Sequence, residues 1–306
     1  MSASLRLAHA VARRQFRGRF AIASQLARLS RHRTIEVTFA NRLTIQADLS
    51  EPKYWELRVG DFGIEEAVWR LLVTTVVDGD AVMDVGANWG FISLLAAALV
   101  GPNGRVAAFE PNRRCVEQLR GHGAHALAPW LQVHHRAVSE RSGELVRLSV
   151  PRFPYLDTGA LVTLAPRANA QTVETITLDE VWRQWGMPRV RLLKIDVNGG
   201  EAAVVRGADA LLRSGACEYV VAEVSDWTAH FGVTARATLL ELAARGFSEI
   251  YLMDPEPPYW RPLNPDAWHS LPASSNVCAA RSGLSSALLD RITACSAAAA
   301  LRVGQI

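Results

Sequence analysis

The stretch 81–95 constrains the fold of this chain more than any other sequence feature. Residues 81–85 form an apolar run interrupted only by Asp84, which is typical of a buried parallel strand. Gly86 and Gly90 follow, and after them apolar residues recur at intervals of three and four, as on the buried face of a helix. This order predicts a strand, a glycine-rich turn and a helix whose first N–H groups point toward a ligand.

The glycine spacing decides which ligand is expected. A dinucleotide-binding turn requires G-x-G-x-x-G, but counting from Gly86, its second and third glycine positions hold Asn88 and Phe91. The pattern Asp-x-Gly-x-x-x-Gly instead resembles the first motif of class I S-adenosylmethionine-dependent methyltransferases. The alternative is an ordinary turn in another α/β protein. The resemblance implies that S-adenosyl-L-methionine is bound by residues of this turn, namely Asp84, Gly86, Asn88 and Gly90.

A second acidic residue ends the next predicted strand. Residues 105–110 are a short apolar run that reaches Glu110 about 20 residues after the glycine turn, and Pro111 then favours the start of a helix. An acid in this position accepts hydrogen bonds from both hydroxyls of a ribose, as in other nucleoside sites. We therefore expect Glu110 to bind the cofactor, with a solvated helix-terminal acid as the alternative.

The charge of the chain is unevenly distributed. The first 35 residues contain eight arginines and no acid, whereas the remaining 25 basic and 30 acidic residues give a balance of −5. Nucleic acid is therefore an unexpected partner for the main body. Residues 1–33 interleave arginines with apolar side chains, which favours a solvated extension, a targeting segment or a peripheral contact with a membrane surface.

Composition limits the remaining possibilities. With 49% hydrophobic residues in 306, the chain can bury one large core with an appendage. No apolar run approaches the roughly 20 residues that span a bilayer. The four cysteines are far apart and contain no C-x-x-C pair, which favours reduced thiols and a cytoplasmic location.

Strand and helix patterns alternate along most of the chain and predict an α/β fold. We expect a seven-stranded class I methyltransferase (Rossmann-like) doubly wound sheet, mostly parallel, with an N-terminal helix and hairpin extension. The predicted units are a basic extension (1–33), a hairpin and helix (34–77), a methyltransferase domain (78–285) and a tail (286–306). The predicted helices include 64–77, 89–100, 112–123, 178–185, 200–213 and 234–245.

The strand 190–197 places Lys194 and Asp196 among apolar residues, which is costly unless the two are paired or functional. This strand and the upstream motif at 177–180 together resemble motifs of the FkbM family of methyltransferases. The resemblance covers about 63–246 through four motifs: D-V-G-A-N-x-G-F, F-E-P, T-x-D-E and K-I-D-V-x-G-x-E.

Members of that family methylate hydroxyl groups on polyketides, sugars and related metabolites. The resemblance thus implies O-methylation of a small hydroxylated acceptor; an N-methyltransferase, a macromolecule methyltransferase and a non-catalytic cofactor-binding module are the alternatives. The family usually has Glu where this chain has Asn198. This departure removes a potential acidic ligand, and no metal site is predicted.

Transfer to an alcohol requires a base that takes the hydroxyl proton as the new bond forms. Asp196 is the first candidate and Glu201 the second, because both flank the expected methyl position. An ion pair between Asp196 and Lys194 is the alternative, since residues two apart in a strand share a face. His134 and His135 are weaker candidates, and Ala137, near the end of another strand, is a further cofactor-binding candidate.

The acceptor pocket is expected to involve segments with little periodicity. One is the insertion 151–171, with Phe153, Tyr155 and Leu156. The other is the proline-rich stretch 255–262, predicted as a loop. The aromatic residues of the second region either form the floor of a pocket or fix the loop to the core; these are Tyr259, Trp260 and Trp268.

Overall fold

The computed structural model describes residues 2–122, 128–149, 161–162, 170–225, 235–254, 259–265, 268, 271 and 274–304. The helices of this part of the chain are α1 Ala3–Ala12, α2 Arg19–Ala27, α3 Tyr54–Val59, α4 Glu66–Thr75, α5 Phe91–Val100, α6 Arg113–Gly121, α7 Leu178–Gln184, α8 Glu201–Arg206, α9 Asp209–Arg213, α10 Ala235–Ala243 and α11 Ser286–Ala294.

The strands are β1 Thr34–Phe39, β2 Leu43–Asp48, β3 Ala81–Val85, β4 Arg105–Phe109, β5 Leu131–His134, β6 Ala137–Val138, β7 Leu145–Ser149, β8 Leu161–Val162, β9 Ala170–Ile176, β10 Val190–Ile195, β11 Cys217–Ser225, β12 Glu249–Met253, β13 Trp260–Pro262, β14 Ser274–Ala280 and β15 Leu301–Val303.

The central sheet confirms the predicted α/β class. Its order is β13-β12-β14-β11-β10-β3-β4-β5, with β10, β3, β4 and β5 parallel to one another and to β11, and with β14 antiparallel to both of its neighbours. The described part of this sheet has eight strands rather than seven. The extra strand is 260–262, predicted as a loop, which pairs with β12 at the edge, where a proline is tolerated.

Helices cover both faces of this sheet because alternate residues of each strand point to opposite sides. Val82 belongs to one buried cluster, which includes residues of α4, α5 and α6. Met83 and Val85 belong to the second, which includes residues of α7 to α10. All five residues of β3 are buried, including Asp84, so the strand that ends at the glycine turn lies at the centre of the molecule.

The predicted helix 200–213 consists of two helices, α8 and α9, separated at Gly207. A Cβ at Gly207 would lie 2.0 Å from the carbonyl oxygen of Ser139, so the backbone passes too close for a side chain. The carboxylate of Asp179 accepts the N–H groups of Ala210 (2.8 Å) and Leu211 (2.9 Å) at the start of α9. The acid of the T-x-D-E motif therefore stabilises a helix start.

The terminal segments pack together at one side of the core. The predicted hairpin is present as β1 and β2, and β15 pairs with β1 to give a three-stranded sheet. Residues Ala297–Ala300 form a 3₁₀ turn that leads into β15. The Arg70 guanidinium donates to the carbonyls of Thr293 (3.1 Å) and Cys295, which fixes the end of α11.

The aromatic residues of the proline-rich region are part of the core. Trp260 and Trp268 are buried, and the Arg70 guanidinium lies 4.1 Å from the ring centre of Tyr259. These contacts support fixation to the core rather than a pocket floor. Within the described ranges, no helix is both long enough and apolar enough to cross a membrane.

Candidate active site

A cavity lies at the carboxyl ends of β3 and β10, where the strand order reverses. The chain proceeds from β3 to β4 and β5 on one side, while β10 lies on the other, and ligands of open parallel sheets bind at such a point. The cavity is lined by the glycine turn, residues 86–92, and by the charged side chains Lys53, Glu65, Asp84 and Lys194.

Sequence reasoning missed two of these side chains, Lys53 and Glu65, because both precede the sheet. One signal for the first was present. The chain has 33 basic residues, yet Lys53 and Lys194 are its only lysines. Both line this one cavity, so the chain places a compact ammonium group here and an arginine at every other basic position.

The glycine turn is held against two neighbouring strand ends. The N–H groups of Gly86 and Ala87 donate to the carbonyl of Phe109 at 2.9 and 3.0 Å. Gly86 has a φ of +80°, and a Cβ there would lie 1.8 Å from the carbonyl oxygen of Asp196. Glycine is therefore required at this position for both conformation and space.

Gly90 fulfils a similar requirement at the start of α5. Its φ is +82°, and a Cβ would lie 2.2 Å from a methyl carbon of Leu119 in α6. The space beside both glycines is thus filled by the protein itself. Their backbones still line the cavity, as does the exposed Asn88, so the predicted residues of the turn are brought together.

Three charged side chains form a row across β3 and β10. The Lys194 ammonium lies 3.0 Å from Oδ2 of Asp196 and 4.0 Å from Oδ1 of Asp84. The Ser93 hydroxyl donates to Oδ2 of Asp84 at 2.5 Å. The ion pair considered as an alternative for Asp196 is therefore present.

Burial and neighbouring charges together shift the pKa values of Asp84 and Lys194. It raises the pKa of the fully buried Asp84, an effect that the nearby ammonium opposes. Burial also lowers the pKa of Lys194, but the carboxylates of Asp196 and Asp84 outweigh it, and the net pKa is raised. Lys194 is thus charged at neutral pH. The Asp196 side chain is 32% exposed, so its carboxylate is accessible to solvent.

Glu110 joins the glycine turn to the start of α6. Its carboxylate accepts the N–H of Asn88 at Oε2 and the N–H of Asn112 at Oε1, both at 2.8 Å. Burial raises the pKa of Glu110 to about 7, although both N–H groups favour the ionised form. The alternative interpretation of Glu110, as a solvated acid at a helix terminus, is therefore wrong, since Glu110 is only 6% exposed.

Glu201 is completely buried and organises the loop after β10. Its Oε1 accepts the N–H groups of Val197 (3.2 Å) and Gly199 (2.9 Å). Its Oε2 has no hydrogen-bond partner among the described residues, and burial raises its pKa. This geometry stabilises the loop, and the role of Glu201 as a base stays a prediction.

Asn198, at a position where the family usually has Glu, lies in the same loop after β10. This residue has a φ of +55°, in the left-handed region, and Gly199 follows with +107°. Asparagine tolerates that conformation better than most residues with a Cβ, and glutamate is not among the favoured types. The asparagine at position 198 is therefore compatible with this backbone conformation.

Asp196, Glu110 and Glu201 are not among the residues that line the cavity, and neither are the remaining candidates. Ala137 belongs to β6, a strand of a separate four-stranded sheet, where it lies opposite Thr175 of β9. Its role in cofactor binding stays a prediction. The His134 ring stacks on Phe109 at 4.7 Å, and burial together with Arg136 lowers its pKa. No group of three or more potential metal-binding side chains occurs within the described residues.

The predicted acceptor segment cannot be placed in the same way. Phe153, Tyr155 and Leu156 lie outside the described residues, as do 255–258 of the proline-rich stretch. The charged cavity beside the glycine turn is consequently the part of the site that geometry defines.

Comparison with known proteins identifies a matching family and a related enzyme. The model of the methyltransferase FkbM domain matches residues 84–249, more than half of the chain. The hexuronic acid methyltransferase AglP of Haloferax volcanii is 27% identical over 186 residues, which cover 61% of this chain and 71% of that protein.

The chain is also similar to solved structures. A methyltransferase FkbM from Methylobacillus flagellatus is 13% identical with a TM-score of 0.42, covering 90% of this chain but only 58% of that protein. A SAM-dependent O-methyltransferase from Thermotoga maritima is 14% identical with a TM-score of 0.41, covering 81% and 92% of the respective chains. On the match to the family model, this chain is a methyltransferase that belongs to the FkbM family.

Proposed function

We propose that this enzyme transfers the methyl group of S-adenosylmethionine to a hydroxyl of a sugar-type acceptor, with uronic acids as the favoured class. One observation carries the proposal: the partly exposed carboxylate of Asp196 lies beside the glycine turn, paired to a buried ammonium. Family membership supports methyl transfer, and the hexuronic acid methyltransferase among the relatives supports the acceptor class.

The residues around the cavity fit the chemistry of this cofactor. Its amino-acid end carries a carboxylate and an ammonium, for which Lys53 and Glu65 provide the opposite charges. The ribose hydroxyls require acceptors, and each oxygen of Glu110 uses one N–H donor and retains a further lone pair. Backbone atoms of the turn at Gly86, Asn88 and Gly90 complete the proposed site.

The cofactor supplies a methyl group already activated by a sulfonium. The protein then has to align the acceptor hydroxyl with that carbon and exclude water. Asp196 accepts the hydroxyl proton as the bond from oxygen to the methyl carbon forms and the bond from that carbon to sulfur breaks, which leaves a neutral thioether. Lys194 fixes the orientation of the Asp196 carboxylate, and Glu201 holds the loop that follows it. No step requires a metal ion.

Replacement of Lys53 tests the proposed contact with the amino-acid end of the cofactor. In Lys53→Met, we expect the Kd of S-adenosylhomocysteine to rise about tenfold or more, because a charge-assisted contact is lost. 5′-Methylthioadenosine lacks the amino-acid group, so its Kd should be unchanged. Calorimetric titration measures both.

The control for that variant is Glu56→Gln. It removes the 3.0 Å ion pair of Lys53 but retains the ammonium group, so both ligands should bind as to the parent chain. An equal loss of affinity for both ligands in Lys53→Met would contradict the assignment and indicate a structural role.

The pKa of Glu110 makes cofactor binding dependent on pH. Ribose hydroxyls donate to the ionised carboxylate, so binding to a group with a pKa of about 7 releases a proton below that pH. We expect the Kd to be constant above pH 7 and to rise by up to about tenfold per unit below it. A constant Kd between about pH 6 and 8 would contradict the role assigned to Glu110.

The raised pKa of Glu110 also makes the stability of the ligand-free protein depend on pH, in the opposite direction to cofactor binding. The folded pKa is raised from 4.5 to about 7, so the stability that Glu110 contributes is present below pH 4.5 and is lost as the pH rises through 7. Binding and stability therefore change in opposite directions over this range. Titration at several pH values separates the two effects if the folded fraction is followed in parallel by circular dichroism.

The activity itself is tested with S-adenosylmethionine labelled at the methyl carbon. We expect transfer to glucuronic or galacturonic acid glycosides, and none to the matching glucose and galactose glycosides. Transfer to the neutral sugars alone would refute the acceptor class but retain the reaction. Failure of transfer to every hydroxylated acceptor would contradict the proposed function.

A further inference from the structure

The N-terminal helices carry an unusual share of the exposed apolar surface. Half of the large hydrophobic residues exposed in the described part of the chain fall within 2–33, and these are Leu7, Phe16, Ile22 and Leu29. Leu29 is 75% exposed. Burial of such side chains is normally favourable, so their concentration in one short segment indicates a surface that is covered by a partner.

The packing of α1 against α2 explains how this surface arises. Each helix turns small residues toward the core, among them Ala8 and Ala12 of α1 and Ala23 and Ala27 of α2. Ile22 lies on the exposed side of α2, and Leu29 is exposed two residues beyond the end of that helix. The apolar side chains face outward because the inward positions are already filled.

Positive charge surrounds these apolar side chains. The segment has six exposed arginines, which are Arg6, Arg13, Arg14, Arg17, Arg28 and Arg31. No acidic residue occurs before Glu36. A partner for this surface must thus be anionic and must accept apolar side chains, which are the properties of the boundary between headgroups and acyl chains in an anionic bilayer.

We propose that the helical hairpin formed by residues 2–33 docks on the surface of an anionic lipid membrane. The apolar side chains enter the headgroup boundary and the arginines contact lipid phosphates. The hairpin is firmly attached to the enzyme, since Arg19 forms an ion pair with Asp61 and both helices contact α3. Lys53 of the cavity immediately precedes α3, so the hairpin and the cavity adjoin the same helix.

The test is co-sedimentation of the full chain with vesicles of phosphatidylcholine, with and without phosphatidylserine. We expect binding only to the vesicles that contain phosphatidylserine, and we expect it to weaken as salt screens the charges. The variant Ile22→Gln/Leu29→Gln should lower the vesicle partition coefficient by about tenfold or more.

Two exposed residues outside the hairpin give a matched control. Leu240 is 49% exposed against 47% for Ile22, and Leu145 is 74% exposed against 75% for Leu29. The variant Leu145→Gln/Leu240→Gln loses the same kind of apolar surface elsewhere and should bind vesicles like the parent chain. Equal loss in both double variants would overturn the proposal.

Other partners give distinguishable results. Binding of RNA at physiological salt with no binding to anionic vesicles would assign the surface to nucleic acid and overturn the proposal. A stable dimer that dissociates in Ile22→Gln/Leu29→Gln, again without vesicle binding, would assign it to a second copy of the chain. Because none of these assays uses methyl transfer, their outcome is independent of the proposed function.

Discussion

Replacing Asp196 by Asn is expected to lower kcat by about a hundredfold to ten-thousandfold, the range that a general base contributes. The amide has the same shape but cannot take the proton of the acceptor hydroxyl. Lys194 still has Asp84 within 4.0 Å, so the buried ammonium keeps a partner and the fold should be retained. Steady-state kinetics measures the loss, and titration with S-adenosylhomocysteine should give an unchanged Kd.

Asp80→Asn is the matched control for this variant. Asp80 pairs with Arg191 of β10 at 3.0 Å, and its side chain is 17% exposed, but it precedes β3 at the opposite end of the sheet. The Asp80→Asn variant therefore also removes a carboxylate that pairs with a cation of β10, but it does so away from the cavity. Comparable kcat values in the two variants would contradict the assignment of Asp196 as the base.

Gly86→Ala is expected to destabilise the protein by about 3 kcal/mol or more, because conformational strain and overlap with backbone add together. The strain follows from the φ of +80°, and the overlap from the 1.8 Å between the new Cβ and the carbonyl oxygen of Asp196. That oxygen belongs to the backbone and cannot rotate away. Urea unfolding measures the change in the free energy of unfolding.

Gly186→Ala separates the two contributions. Gly186 also has a φ of +80°, but no atom lies within 4 Å of a Cβ built there. This variant should therefore lose only about 1 kcal/mol, the cost of the conformation alone. If both variants lost the same amount, the close approach between the glycine turn and the end of β10 would not be a determinant of stability.

The centre of the fold was predictable because it depends on local patterns. Continuous apolar runs predict buried parallel strands, and helical spacing predicts the helices between them. The break at Gly207 was not predictable, since it results from the approach of Ser139, which is distant in sequence. The edge strand 260–262 was missed because prolines concealed a pairing that only the neighbouring β12 makes possible.

Some residues of the candidate site were also predictable from the sequence, and others were not. Asp84, Gly86 and Glu110 were found because each ends a strand, and strand ends meet at one edge of a parallel sheet. Lys53 and Glu65 reach the cavity from segments that precede the sheet, where no motif marks them. Their position depends on the packing of α3 and α4, which tertiary structure alone determines.

The glycine turn and its charged neighbours are the proposed binding site of S-adenosylmethionine. Calorimetric titration of the parent chain with S-adenosylmethionine and S-adenosylhomocysteine, with NAD as the control ligand, tests this most directly. We expect Kd values on the order of micromolar for both sulfur compounds, as for typical enzyme ligands, and no binding of NAD. Binding of NAD, or of none of the three ligands, would contradict the claim.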